Sequence, residues 1–171
     1  MNISIKELTA QDVSPDYCAW LNDAEINRFL ETRHSTHTPE SALAFVKAMQ
    51  ESGDNILFGI FAGGRHIGNI KIGGIDKRYK NADIGLMIGD KAFWGKGIAT
   101  KAIGLAAEYA FENLKLHKVW AGAYAENKGS IKAFLNNGFS LNGTKKEHVL
   151  LDGKYQDCVI LEKINPAESN V

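Results

Sequence analysis

Cysteine is nearly absent from this chain. Among 171 residues only Cys18 and Cys158 are cysteines, and they form no CxxC pair. A disulfide framework or a structural zinc site needs paired or clustered thiols, so neither is expected. Neither sign of charge is in excess: 20 basic residues face 20 acidic ones, for a formal net charge of zero. That balance lacks the electrostatic footprint of a nucleic-acid or membrane-surface binder. No apolar run approaches membrane-spanning length. The opening segment, MNISIKELTAQD, carries acidic residues early and has no apolar core, so no signal peptide is expected and a cytoplasmic protein is the default. There is no linker, repeat or low-complexity segment. Length and composition suit one domain, residues 1–171, with a polar tail from about residue 164 read as frayed.

What is present is an alternation of strand and helix patterns. The stretch ISIKEL alternates as an opening strand, and two short helices fit between Ser14 and Phe29. A clear helix follows, with Thr38 as N-cap, Pro39 in the first turn, Glu40 against the dipole and Gly53 as its stop. NILFGIFA and RHIGNIKIGGI form a hairpin around Gly63-Gly64, and NADIGLMIG is a further strand. A long helix, about 97–114, places Ile98, Ala102, Leu105, Ala106, Tyr109 and Ala110 on one face. HKVWAGAY is a strand, NKGSIKAFLNNGF a short helix stopping near Asn137-Gly138, and the last two strands turn at Asp152-Gly153. The order predicts one α/β domain with a mixed sheet.

The most informative stretch is FWGKGIATKAI, Phe93 to Ile103. Gly95, Gly97 and Ala99 alternate with larger residues at the mouth of the long helix, where glycine carries an entropic cost. The first amides of a helix lack helical partners, and with the helix dipole they form an anion site. Small residues let a phosphate approach, Lys96 adds charge and Thr100 offers a hydroxyl. A P-loop is excluded, because the lysine lies between two glycines. A Rossmann fingerprint fails at its third glycine, and the turn lies mid-chain. A pyrophosphate cradle for coenzyme A, or a small-residue turn that merely lets a helix pack closely on a strand, remain as alternatives.

Two spaced motifs carry a resemblance. Trp94-Gly95-Lys96-Gly97-Ile98-Ala99 is similar to the first signature of the GNAT superfamily of N-acetyltransferases, [QR]xxGx[GA], with Trp in place of Gln or Arg as in its RimJ/RimL-type branch. Asn127, Ser130, Gly138 and Phe139 resemble the second signature, NxxSxxxxxxxGF, and EHVLLDGKYQD looks like that branch's last hairpin. The resemblance covers nearly the whole chain. It implies a GNAT-like domain whose two central parallel strands, here DIGLMIG and KVWAGAY, splay apart and are flanked by helices. It implies direct transfer of acetyl from acetyl-CoA to a primary amine, with no metal. The pyrophosphate falls to the amides from Gly95 to Thr100, with Trp94, Lys96, Ile98 and Ala99 around it. A backbone N–H near Met87 or Ile88 polarises the thioester carbonyl, beside Gly85 and Gly89. Asn127, Ser130 and Phe134 line the pantetheine, although Asn127 also suits a helix N-cap.

For proton transfer the family places a Tyr where this chain has Phe134, which carries no proton. Ser130 is then the first candidate acid to the thiolate and Tyr124 the reserve; water can also serve. Asp83 takes the place of the family's strand carboxylate and is the candidate base through water. Glu147 and His148, on the last hairpin, are further candidates, of which strand alternation lets only one face the cleft. His34 and His37 lack a third ligand for a metal. The stretch Cys18 to His34 resembles the acceptor region of amino-sugar-nucleotide acetyltransferases, with Glu31 for an amine and Arg33 for a phosphate. A small-molecule amine is the expected acceptor, with a protein N-terminus as the alternative, and the resemblance admits a homodimer. A non-catalytic acyl-CoA-binding sensor and an unrelated nucleotide-phosphate binder are the readings from other classes.

Overall fold

A computed structural model describes residues 2–168. Among the described residues seven strands share one sheet: β1 (Ile3–Glu7), β2 (Ile56–Ala62), β3 (Arg65–Asp76), β4 (Asn81–Ile88), β5 (Lys118–Tyr124), β6 (Ser140–Leu151) and β7 (Lys154–Ile164). Their order is β1-β2-β3-β4-β5-β7-β6, antiparallel except for the β4–β5 pair. The same residues form four α-helices, α1 (Pro15–Asn22), α2 (Pro39–Glu51), α3 (Ile98–Glu112) and α4 (Lys128–Leu135). This is the α/β mixed-sheet fold that the strand and helix patterns predict.

Strand alternation divides β4 between two cores. Ala82 and Ile84 join the larger core, against α3, whose Ala102, Ala106 and Ala110 let the helix lie close to the sheet. Met87 points the other way and packs with Tyr17, Trp20 and Leu21 of α1 and Val46 of α2. The sheet therefore has an α3–α4 face and an α1–α2 face. Residues 83, 85 and 87 of β4 and residues 120, 122 and 124 of β5 fall on the second face.

Only three rungs join β4 to β5: Asn81 with Lys118, Ala82 with Val119 and Asp83 with Trp120. Beyond Asp83 the two strands separate. The parallel strands thus splay as expected, and the opening lies beside the N-terminus of α3.

Three boundaries differ from the sequence expectation. The region 15–29 holds one α-helix, not two. The Asp23 side chain accepts hydrogen bonds from the Glu25 and Ile26 amides, and this local turn replaces a helical start. Helix α2 ends at Glu51 with Ser52 as C-cap, without using Gly53. The tail is tied back as far as it is described. Asn165 N–H donates to the His117 carbonyl, Pro166–Glu168 form a 3-10 turn, and Glu168 pairs with His117 at 2.8 Å. The rest of the tail, 169–171, lies outside the described residues.

Candidate active site

The turn between β4 and α3 has the conformation its glycines suggest. Gly95 and Gly97 have φ of +70° and +75°, in the left-handed region that side chains with a Cβ avoid. A Cβ built on either would meet nothing within 4 Å. The glycines thus serve backbone conformation and leave the space above the turn open, which weighs against close helix–strand packing as their reason. Trp94 explains its departure from Gln or Arg: its indole Nε1 donates to the Ile88 carbonyl at 2.8 Å, fastening the turn to the end of β4. Lys96 is exposed and lies over the Phe93 ring.

Helix α3 differs from the other three α-helices at its start. Ser14 caps α1 by accepting from Tyr17 N–H, Thr38 caps α2 by accepting from Ser41 N–H, and Asn127 caps α4 by accepting from Ser130 N–H. The N-cap of α3 is Gly97, which supplies no side chain. The first intrahelical bond runs from Lys101 N–H to the Gly97 carbonyl, so the amides of Ile98, Ala99 and Thr100 precede the helical ladder. Ile98 itself is anchored in the larger core, with Ala99 packed against it, which holds that row of amides rigidly.

Helix α4 borders the opening. The Asn127 carboxamide uses its oxygen on Ser130 N–H at 3.1 Å, leaving Nδ2 without a partner among the described residues. The Ser130 hydroxyl is half-buried and likewise makes no hydrogen bond. Phe134 corrects its assignment to the pantetheine. It is 2% exposed and packs edge-on against Phe139 at 5.0 Å, so it is core and not cleft wall. Asn137, which the sequence suggested only as a stop, clamps the site: its Nδ2 donates to the carbonyls of Thr100 and Ala133, both at 2.8 Å. That joins α4 to the first turn of α3.

Of the two candidate polarising amides, Ile88 is the one the strand edge exposes. Gly89 N–H donates to the Ile67 carbonyl of β3, and neighbouring strand residues direct their polar groups to opposite edges. Ile88 therefore faces away from β3, as its carbonyl bond to Trp94 also shows. Gly89 has a packing reason, since a Cβ there would lie 2.0 Å from the Trp20 ring. Gly85 meets nothing within 4 Å.

The acceptor side is assembled by contacts distant in sequence. Tyr124, on β5, donates to Glu31 Oε1 at 2.5 Å and accepts from Arg33 Nη1 at 2.6 Å. Arg33 also donates to the carbonyls of Leu30 (3.0 Å) and, on β6, Leu150 (3.0 Å). Its guanidinium is thus a clamp, with fewer donors left for a phosphate than the sequence suggested. Arg28 pairs with Asp152 at 2.7 Å, and Lys91 pairs with Asp23 and Glu25 at 2.9 and 2.6 Å. The loop from Asp23 to Arg33 is so strapped to the cofactor turn at one end and to the β6–β7 hairpin at the other. A cavity of about 510 Å³ opens beside it, lined among others by Asn27, Arg28, Arg33, His34 and Asp152.

The candidate bases are scattered. Asp83 is half-buried on the α1–α2 face, at the closed end of the splay, and its carboxylate makes no hydrogen bond or ion pair among the described residues. Glu147 and His148 are both exposed and sit where β6 slips register between Lys145 and Val149. Glu147 has φ +49° and its N–H is held by Asp157. The strand alternation expected to choose between them does not apply inside this bulge. Among the described residues no group of three His, Cys, Asp or Glu is placed to hold a metal ion, and no helix is long and apolar enough to cross a membrane.

Burial shifts Tyr124 and its neighbour Cys158. Burial, and next to it the Glu31 carboxylate, push the Tyr124 phenol above its ordinary pKa, with Arg33 opposing. Burial also raises the Cys158 thiol, which lies opposite Tyr124 on β7.

Known proteins resemble this chain in sequence and fold. A probable N-acetyltransferase of Bacillus subtilis, YjcK, is 36% identical over 119 residues, 68% of this chain and 65% of its own length, so the match spans just under two thirds of that relative. The acetyltransferase PseH of Campylobacter jejuni is 26% identical across 91% of this chain and 94% of its own. The structure of RimL, a ribosomal L7/L12 alpha-N-protein acetyltransferase in complex with coenzyme A, superposes with a TM-score of 0.89 over 98% of this chain and 97% of that one, at 20% identity. The acetyltransferase (GNAT) domain matches residues 2–140, well over half of the sequence. The uncapped α3, the splayed strands and that match converge, and the chain belongs to the GNAT acetyltransferase family.

Proposed function

We propose that this protein is an acetyl-CoA-dependent N-acetyltransferase that moves an acetyl group directly to the primary amine of a small molecule. One observation carries the reading: α3 alone among the four α-helices lacks a side-chain cap, and it opens beside the gap between β4 and β5. The coenzyme's pyrophosphate completes that cap. It accepts from the amides of the Gly95 to Thr100 turn, with Lys96 nearby, and the dipole of a 15-residue helix favours its charge.

The pantetheine then runs into the splay, and Asn127 Nδ2 is free to donate to it. The Ile88 N–H donates to the thioester oxygen, where negative charge develops as the amine adds. The amine nitrogen bonds to the acetyl carbon, the C–S bond breaks, and the thiolate leaves with its electron pair. Ser130 supplies the hydroxyl that protonates it, and regains its proton through water from the attacking nitrogen, which sheds one as the amide forms. Asp83 shares the acceptor face, but four residues separate it from the level of Met87, about 13 Å of extended strand, so it acts through water. Glu147 and His148 are further candidates on the hairpin whose Leu150 carbonyl and Asp152 carboxylate hold the acceptor loop.

An amino-sugar nucleotide is the acceptor class we favour. The cavity beside the Asp23 to Arg33 loop is of small-molecule size, and the guanidinium groups of Arg28 and Arg33 line it, against the single carboxylate of Asp152, which suits a phosphate. The same two arginines oppose a polyamine. A CoA-release screen across amino-sugar nucleotides, polyamines, amino acids and N-terminal peptides tests this. Turnover with the first class supports the assignment. Turnover with peptides alone moves the acceptor to protein N-termini, and acetyl-CoA binding without turnover of any amine makes the protein a non-catalytic sensor.

A further inference from the structure

We propose that Tyr124 takes the proton from the acceptor's ammonium group and passes its own proton to Glu31, which releases it to solvent. This rests on the N-acetyltransferase reading and adds an exit route to it.

Position comes first. Asp83 pairs with Trp120 at the last β4–β5 rung, so four residues further along each strand Met87 and Tyr124 stand at the same level across the gap. That is the level of the Ile88 amide assigned to the thioester oxygen. Tyr124 also lies on the α1–α2 face, with the acceptor loop, and not on the α3–α4 face. An amine attacking a carbonyl held at Ile88 therefore arrives beside the Tyr124 hydroxyl.

The hydrogen bonds have the required direction. The Tyr124 oxygen accepts from Arg33 and donates to Glu31, which leaves one lone pair for a third partner. An ammonium N–H supplies that partner. As its proton moves to the phenolic oxygen, the phenolic proton moves to the Glu31 carboxylate, and the amine is left neutral with its electron pair free. Arg33 stabilises any negative charge on the oxygen during the exchange. Tyr124 is 6% exposed, whereas the Glu31 side chain is 75% exposed. The pair thus reaches from a closed site to bulk water. Atoms balance: a protonated amine and acetyl-CoA yield the amide, CoA thiol and one proton, which leaves through Glu31.

The surroundings support a phenol that stays protonated between turnovers. The groups facing Tyr124 are Glu31 and Arg33 from the loop, the Phe29 ring at 5.8 Å, and the Cys158 thiol from β7. Further out, Arg28 lies between Asp152 and Glu126. Burial raises both the phenol and the thiol, so each is neutral near pH 7.

The test is the pH profile of kcat/KM for Tyr124→Phe, Glu31→Gln and the double variant, between pH 6.5 and 10, on whichever amine of the screen turns over fastest. Acetyl-CoA affinity, measured by calorimetry, is the control for folding. The expected result at pH 7 is at least a tenfold loss in each single variant with acetyl-CoA affinity unchanged, no further loss in the double variant, and recovery toward wild type as pH approaches the amine's own pKa. Glu31→Asp restores part of the loss. Activity of Tyr124→Phe within twofold of wild type at pH 7 overturns the proposal, as does a loss that stays constant with pH, which marks a residue that only positions the acceptor. The same profile for Asp83→Asn separates the two routes: a pH-dependent loss there, with Tyr124→Phe unaffected, returns the proton to Asp83. Failure of the wild type to acetylate any amine while binding acetyl-CoA is a different outcome, and it removes the transferase reading together with this relay.

Discussion

The two ends of the cleft are built by opposite means. At the proposed cofactor end, the candidate site is the consecutive residues 93–100, its polar groups are backbone amides, and its glycines keep the space empty. At the acceptor end, side chains from Glu31, Arg33, Tyr124 and the Leu150 carbonyl meet across 91 to 117 positions of sequence. One end offers backbone amides left without helical partners, the other side chains already engaged with one another. A fixed cofactor suits the first design, since its phosphates never vary. The second permits a new acceptor to be chosen by changing a strapped loop without disturbing the sheet.

The largest expected effect separates chemistry from binding. Ser130→Ala should lower turnover by about 100-fold, the lower range for a lost general acid, while acetyl-CoA affinity stays within threefold. Equal losses in both would confine Ser130 to the N-terminal turn of α4. Next comes the cofactor end itself. Gly97→Val forces a branched residue to φ +75° and fills the phosphate's space, so acetyl-CoA affinity should fall at least tenfold, about 1.4 kcal/mol, by calorimetry. An unchanged affinity in the folded variant would place the pyrophosphate elsewhere. The acceptor end should respond differently. Arg28→Ala removes an exposed strap to Asp152, so stability should change by less than about 1 kcal/mol and acetyl-CoA affinity not at all, while the acceptor's KM rises severalfold. A rise in the acetyl-CoA dissociation constant instead would show that the two ends are not independent.

The smallest effect is in the floor beneath the acceptor loop. Burial pushes the Tyr17 phenol up to about 12, against 10 for an unburied tyrosine. Its folded-state pKa is raised, so the associated stability is complete below pH 10 and is lost as pH climbs from 10 toward 12. Thermal unfolding followed across that window should show a falling Tm in the wild type and a flatter profile in Tyr17→Phe. Parallel profiles would remove Tyr17 as the source.

This contrast also explains what the sequence made legible. Gly95, Gly97 and the α3 pattern are local signals, and so are the hairpin turns at Gly63-Gly64 and Asp152-Gly153, whose backbones have the positive φ expected. Asn127 and Ser130 sat in register with a motif. The role of Asn137 was hidden because its partners, Thr100 and Ala133, are set by how α4 lies on α3. Phe134 was misplaced for a related reason: helical periodicity alone does not say which neighbours claim a face, and Phe139 claims this one. Tyr124 read as a reserve acid, and nothing near it in sequence announced Glu31 or Arg33 as its partners. The extra helix expected before Phe29 failed on one side chain, Asp23, which offers the backbone a turn in place of a helical bond.

The central claim is that a phosphate caps α3. The most direct measurement is the backbone amide spectrum of the labelled protein during titration with acetyl-CoA. The account predicts large downfield shifts at Gly97, Ile98, Ala99 and Thr100, as those N–H groups gain an anionic acceptor, and small ones at Tyr17 and Ser41, whose helices already carry side-chain caps. Saturable binding of acetyl-CoA with the four α3 amides unmoved would contradict it.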